Sequence, residues 1–322
     1  MSDKIEFGAD LEITKAKCKA LQLITEFQRD KTIAKASAYY PKISKDDVIK
    51  DLNSAITKNE YKYLSQGNSS LCGPAAFFFG IARSRPDIYT QAALGLYKNG
   101  KVRLENLKLE SSRLARKASL SNANISGIDW MIMSSIKPWY DKPEDRFSGI
   151  TLPGMLTDWL EDTGYQAVDK TGITKKTLDN LLQAQTAYAG GYTVFLFVNG
   201  DLFKPQGKNK ISFYPDHWVM LNSSIKIRKY DKKLKKHKAP AVLSAALVKQ
   251  ILKEWEEYED AMDEFNENGG FEEPTKTSNQ IELDVFTWGE RHQSVFNVKG
   301  TSQKPELRLF FNHYYGFIKA RR

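Results

Sequence analysis

Two cysteines, Cys18 and Cys72, and four histidines, His217, His237, His292 and His313, are the residues of this 322-residue chain from which nucleophilic chemistry could be built. Cys72 stands in QGNSSLCGPAAFFFG, between a polar, turn-forming run and an apolar, helix-forming one. A thiol is a useful nucleophile only as a thiolate. A helix start aims unpaired backbone N–H groups and the positive end of the helix dipole at it. Asn68, Ser69 and Ser70 supply caps and turns, Gly73 allows close backbone approach, and Pro74 suits a first helical turn. The same residues also fit a buried free cysteine that opens a core helix. Gln66 favours the nucleophile: a side-chain amide a short loop upstream can join the Cys72 N–H in holding a tetrahedral oxyanion.

A cysteine nucleophile needs a general base. His217 alone directly precedes an alternating hydrophobic strand, HWVMLNSSI, on the C-terminal side of Cys72. His237 lies in a lysine run, and His292 and His313 flank or sit within later strands. The plainer reading of His217 is a strand-edge histidine satisfied by a carbonyl. Cys18, in a Lys-rich helical stretch, reads as structural or incidental.

The segments QGNSSLCGPAA, PDHWVMLN and VFTWGE together resemble papain-like cysteine peptidases. CGPAA is especially similar to their bacteriocin-processing branch, which trims leader peptides after a double glycine. The resemblance implies a helical lobe carrying the nucleophile, packed on a sheet lobe whose histidine begins a strand. It implies Cys72 as nucleophile, His217 as base and Gln66 in the oxyanion hole. In that superfamily an Asn-Ser-Trp-Gly run ends the next strand, and its asparagine orients the imidazole. Here Thr287-Trp288-Gly289 matches the last three positions, while Phe286 occupies the place of the asparagine. Thr287 and Asp284 are then the favoured candidates to orient His217, with Asp216, Asn222 or a backbone carbonyl as alternatives.

The wider set SSLCGPAAF, RPDIY, ISGIDW, GITLPG, DHW and FTWG also resembles bacterial proteins of polymorphic-toxin and type VI secretion settings. That similarity implies an antibacterial or host-directed effector with a protein or peptide substrate and a cognate immunity protein. The same machinery would also serve a deamidase, a transglutaminase or a peptidoglycan amidase.

The elements that must position these residues follow from pattern. Residues 10–60 read as helical, interrupted at Pro41 and resuming with Ser44 as a plausible N-cap. Helices are expected from Cys72 to about Arg83, from Pro86 to Asn99, from Ser126 to Ile136, from Leu152 to Thr163 and from Thr174 to Ala187. Strands are expected over Gly191–Gly200, His217–Ile225, Gln280–Gly289, His292–Lys299 and Leu307–Ala320. Helices first and antiparallel-looking strands second indicate an α+β fold. Residues 1–60 form an N-terminal helical extension and 61–322 the catalytic domain. Within it a helical lobe covers 61–188, a sheet lobe 189–322, and a charged helical insertion 226–275. Phe77, Phe78, Phe79, Trp130 and Trp159 read as core, and Asp129 and Asp158 as exposed-face or cap positions.

Composition narrows the classes. Hydrophobic residues make up 41%, enough for a substantial core. No apolar run approaches the roughly 20 residues a bilayer span needs. The N-terminal MSDKIEFGADLEITKAKCKALQL lacks the layout of a secretory signal. Cytoplasmic synthesis is expected, with any export by a route that reads no such leader. No CxxC or HExxH occurs, so no metal or cofactor is expected. The net charge of +9 suggests nucleic acid as a partner. It is uneven, however: basic Ile225–Lys238 stands close to acidic Lys253–Glu273, and pairing between them disfavours that partner. A non-catalytic module using the basic 226–238 arm is the competing class.

Overall fold

A computed structural model describes residues 2–57, 64–120, 122, 124–139, 150–203, 214–231, 233–234, 236–267, 279–287, 290–292 and 307–321. The fold is α+β with antiparallel sheets. The chain forms two compact units. The first takes the chain up to Val168 and again over Phe286–Arg291; the second comprises Asp169–Val285 and His292–Arg321. The unit boundary falls at 168/169.

The first unit contains α1 (Ser2–Arg29), α2 (Lys45–Thr57), α3 (Cys72–Ser84), α4 (Pro86–Asn99), β1 (Lys101–Leu104), β2 (Leu107–Glu110), α5 (Gly127–Ser135) and α6 (Pro153–Asp162). Ser44 does start α2. Its hydroxyl accepts the Asp47 N–H at 3.1 Å while Asp47 Oδ2 accepts from the Ser44 backbone, a reciprocal cap. Pro86 and Pro153 occupy first turns, where their missing N–H has no intrahelical partner to lose. Gly100 closes α4 in the left-handed conformation at φ 68°. The hairpin of β1 and β2, paired from Lys101↔Glu110 to Leu104↔Leu107, was not among the sequence expectations.

Helix α3 is buried from Cys72 through Ala82, and Phe77, Phe78 and Phe79 are core residues. Phe77 meets Trp159 edge-on at 5.8 Å, and Phe79 stacks on Phe286 at 3.7 Å. Trp130 is also buried, its indole N–H donating to the Ala115 carbonyl at 2.7 Å.

After β3 (Gln166–Asp169), which spans the boundary, come α7 (Leu178–Ala189), β4 (Thr193–Val198), β5 (His217–Leu221), β6 (Lys226–Arg228), β7 (Tyr230–Asp231), β8 (Lys236–His237), β9 (Ala241–Val242), α8 (Ala245–Glu267), β10 (Gln280–Glu282), β11 (Val285–Thr287), β12 (Glu290–His292), α9 (Leu307–His313) and β13 (Tyr314–Arg321). In the second unit β5, β4 and β13 run antiparallel in that order, with Val198 opposite both His217 and Tyr314. Gly316, at φ 115°, lets a bulge in β13 approach the 172–174 loop; a Cβ there would lie 2.0 Å from the Gly172 carbonyl oxygen.

Three expectations are corrected. Leu307–Ala320 is not one strand, because its first residues form α9. Leu307, Phe310, Phe311 and Tyr314 recur at helical spacing, and the Phe310 ring stacks on Tyr314 at 5.4 Å. Gln280–Gly289 is likewise split. At the break the Asp284 N–H donates to Ser223 Oγ at 2.7 Å, and the Asp284 carbonyl accepts the Asn222 N–H at 2.8 Å. Helix α7 starts at Leu178 rather than Thr174, where Thr177 Oγ1 accepts the Asn180 N–H at 3.1 Å. The strand expected over His292–Lys299 lies outside the described residues beyond His292, as do Trp288 and Gly289.

The basic arm is built into a sheet. Its Lys226–Arg228 segment, β6, lies between β10 and β9. Arg228 pairs with Glu282 and Lys229 with Glu254 of α8. Helix α8 follows β9 and precedes β10, as an inserted helix.

Candidate active site

Cys72 is the first residue of α3 and is 5% exposed. The capping position before it is Leu71, which has no side-chain cap. Ser69, expected to supply a cap or turn here, acts one turn earlier. Ser69 N–H and Oγ donate to the Gln66 carbonyl at 3.0 and 2.6 Å, closing a tight turn in which Gly67 takes φ 53°. Gln66 is itself buried, and its Nε2 donates to the Ser69 carbonyl at 2.8 Å. A carboxamide nitrogen carries two donors, so one N–H is fixed by this bond and a second remains. Gln66 Oε1 is buried without a hydrogen-bond partner among the described residues.

Two residues tie this turn and the start of α3 to the rest of the first unit. Asp129, in the first turn of α5, accepts the Ser65 N–H at 3.1 Å. It was expected on an exposed face or as a cap. It is 5% exposed, because α5 is apolar around nearly its whole circumference and has no solvent face. Burial pushes its carboxyl up to about 8, against the hydrogen bonds from Ser65 and Ser126. Thr151 lies against the second residue of α3. A Cβ on Gly73 would sit 2.2 Å from Thr151 Oγ1, so only glycine leaves room for this crossing.

Lys137 is the residue sequence reasoning missed. It follows α5 with no exposed surface, and its Nζ donates to the Ile150 carbonyl at 2.7 Å. Burial brings its ammonium down to about 8, while negative charge on Cys72 acts in the opposite sense. The signal was present in IDWMIMSSIK: a lysine that continues a helix without a polar face has no solvent side to occupy.

Thr287 also belongs to the first unit and is 2% exposed, at the end of β11. Phe286 beside it is buried and stacks on Phe79 of α3.

His217 and Asp284 belong to the second unit. His217 opens β5 and is 5% exposed. Its neighbour Asp216 accepts the Gly200 N–H at 2.7 Å through Oδ1, which fixes the turn after β4 beside the histidine. Asn199, fully buried at the same sheet end, donates through Nδ2 to the Tyr214 carbonyl at 2.7 Å and through its N–H to the His313 carbonyl at 2.8 Å. Asp284 is half-buried at the break between β10 and β11.

Among the described residues no group of three or more His, Cys, Asp or Glu side chains could hold a metal ion, and no helix is long and apolar enough to cross a membrane. Comparison with family models, with curated proteins and with solved structures finds no match.

Proposed function

We propose that this chain is a papain-like cysteine hydrolase acting on amide bonds, with Cys72 as nucleophile and His217 as general base. The observation that carries the reading is the start of α3: a nearly buried thiol on the first helical residue, preceded by a glutamine locked in a buried turn. In this reading the Cys72 thiolate attacks the substrate carbonyl. Gln66 Nε2 and the Cys72 N–H hold the resulting oxyanion, and the amine leaves with a proton from His217. Water, deprotonated by His217, then hydrolyses the thioester. Thr287 or Asp284 orients the imidazole. The chain acts as an antibacterial or host-directed effector on a protein or peptide and is matched by an immunity protein.

The test is growth inhibition on expression, together with mass spectrometry of a peptide library. Cys72→Ala and His217→Ala are expected to abolish both effects, with the thermal melt of Cys72→Ala nearly unchanged. Gln66→Ala is expected to lower turnover by roughly 10²–10³. New peptide termini identify a peptidase. A gain of about one dalton without cleavage identifies a deamidase that uses the same pair. Full activity in Cys72→Ala rejects the reading.

A further inference from the structure

The first unit holds a buried cation, Lys137, that the proposed chemistry does not use. Lys137 Nζ is anchored on the carbonyl of Ile150 at 2.7 Å. The next residue, Thr151, lies against Gly73 closely enough that a Cβ there would clash, and Gly73 is the neighbour of Cys72. The 150–151 backbone therefore carries the lysine head group to the start of α3.

We propose that Lys137 is a positioning residue for the nucleophile: its buried ammonium holds Cys72 as a thiolate from within the helical unit. The pairing is reciprocal. Negative charge on Cys72 favours the charged form of Lys137, so the charge on Lys137 favours the thiolate equally. The proton lost from Sγ goes to His217, the general base of the proposed chemistry, and the ammonium is present at neutral pH because it titrates near 8. Other groups around α3 serve different partners. Asp129 binds the Ser65 N–H, and Tyr89 of α4 feels Asp129 and Asp51. Asp158 of α6 is exposed, and Arg85, beyond the far end of α3, pairs with Asp87. Burial works against the charged lysine, while the same low-dielectric surroundings strengthen its attraction for a nearby thiolate.

The experiment measures alkylation of Cys72 by iodoacetamide against pH, with peptide mass separating Cys72 from Cys18. Lys137→Met is expected to move the midpoint upward by at least about one pH unit, slowing alkylation roughly tenfold near pH 6.5 with the high-pH plateau unchanged. Lys137→Arg is expected to stay near the native profile. A Lys137→Met profile that superimposes on the native one overturns the proposal. If Lys137→Met does not fold, the Lys137 side chain is titrated by NMR in native and Cys72→Ala protein. A downward shift on losing the thiolate supports the pair, and an unchanged midpoint overturns it. Neither readout uses turnover, so failure of the hydrolase reading and failure of this inference are separate results.

Discussion

Asp129 Oδ2 accepts the backbone N–H of Ser65 at 3.1 Å, one residue before Gln66, whose turn leads into α3 and Cys72. The bond is made by a carboxyl that burial pushes up to about 8. A raised acid is protonated in the folded chain where the unfolded chain is ionised, so folding stability falls as pH rises from about 4 to about 8. Asp129→Asn keeps an acceptor for Ser65 and removes the titration. It is expected to flatten that decline and to raise the melting temperature at pH 8, in thermal melts taken across the range.

Lys137 has the opposite slope. Its folded value is lowered to about 8, so between about 8 and the ordinary lysine range the unfolded chain binds more protons, and stability rises with pH. Lys137→Met is expected to abolish this rise. Denaturant titrations at pH 8 and pH 10 check it: the native chain gains on the order of a few kcal/mol and the variant does not.

Gly73→Ala is expected to destabilise by about 1–3 kcal/mol, the range for overpacking a filled site. The clash involves Thr151 Cβ at 2.4 Å as well as Oγ1 at 2.2 Å. Thr151→Ala should therefore relieve little of the loss in a double-mutant cycle measured by urea unfolding.

Phe286→Asn would introduce the residue type that the sequence resemblance to papain-like enzymes would put at this position. Here it would set an amide against the Phe79 ring, in a position 1% exposed. The expected outcome is a loss of about 3–5 kcal/mol, as for deleting a buried aromatic ring. Phe286→Leu is expected to cost clearly less. A melt of the Phe286→Asn protein that matched the native one would show the stack to be energetically idle.

Elements with local punctuation were legible in the sequence. Ser44, Pro86, Gly100, Ser126 and Pro153 each mark a helix end by a capping or dihedral preference, and the helices follow them closely. Leu307–His313 was misread because its phenylalanines favour strands in isolation, while the three- and four-residue spacing of its apolar residues favours a helix. Cys72 at a helix start, Gln66 just upstream and His217 opening a strand were all readable from neighbouring residues. The surroundings of Cys72 were not. Asp129 and Lys137 look like surface residues by type, and only the burial of all of α5 makes them interior. The short hairpin at 101–110 has few residues to show a period, so its pattern is weak.

The return of Phe286–Arg291 to the first unit has a consequence during synthesis. The ribosome must deliver residues 169–285 before it releases the segment that stacks on Phe79. At roughly 5–20 residues per second, that interval lasts several seconds or more. Throughout it the nascent helix bearing Cys72 lacks its last ring neighbour. A polypeptide cut short before position 286 carries the thiol on an unfinished scaffold, so completion of the packing around α3 waits on synthesis of the 286–291 segment.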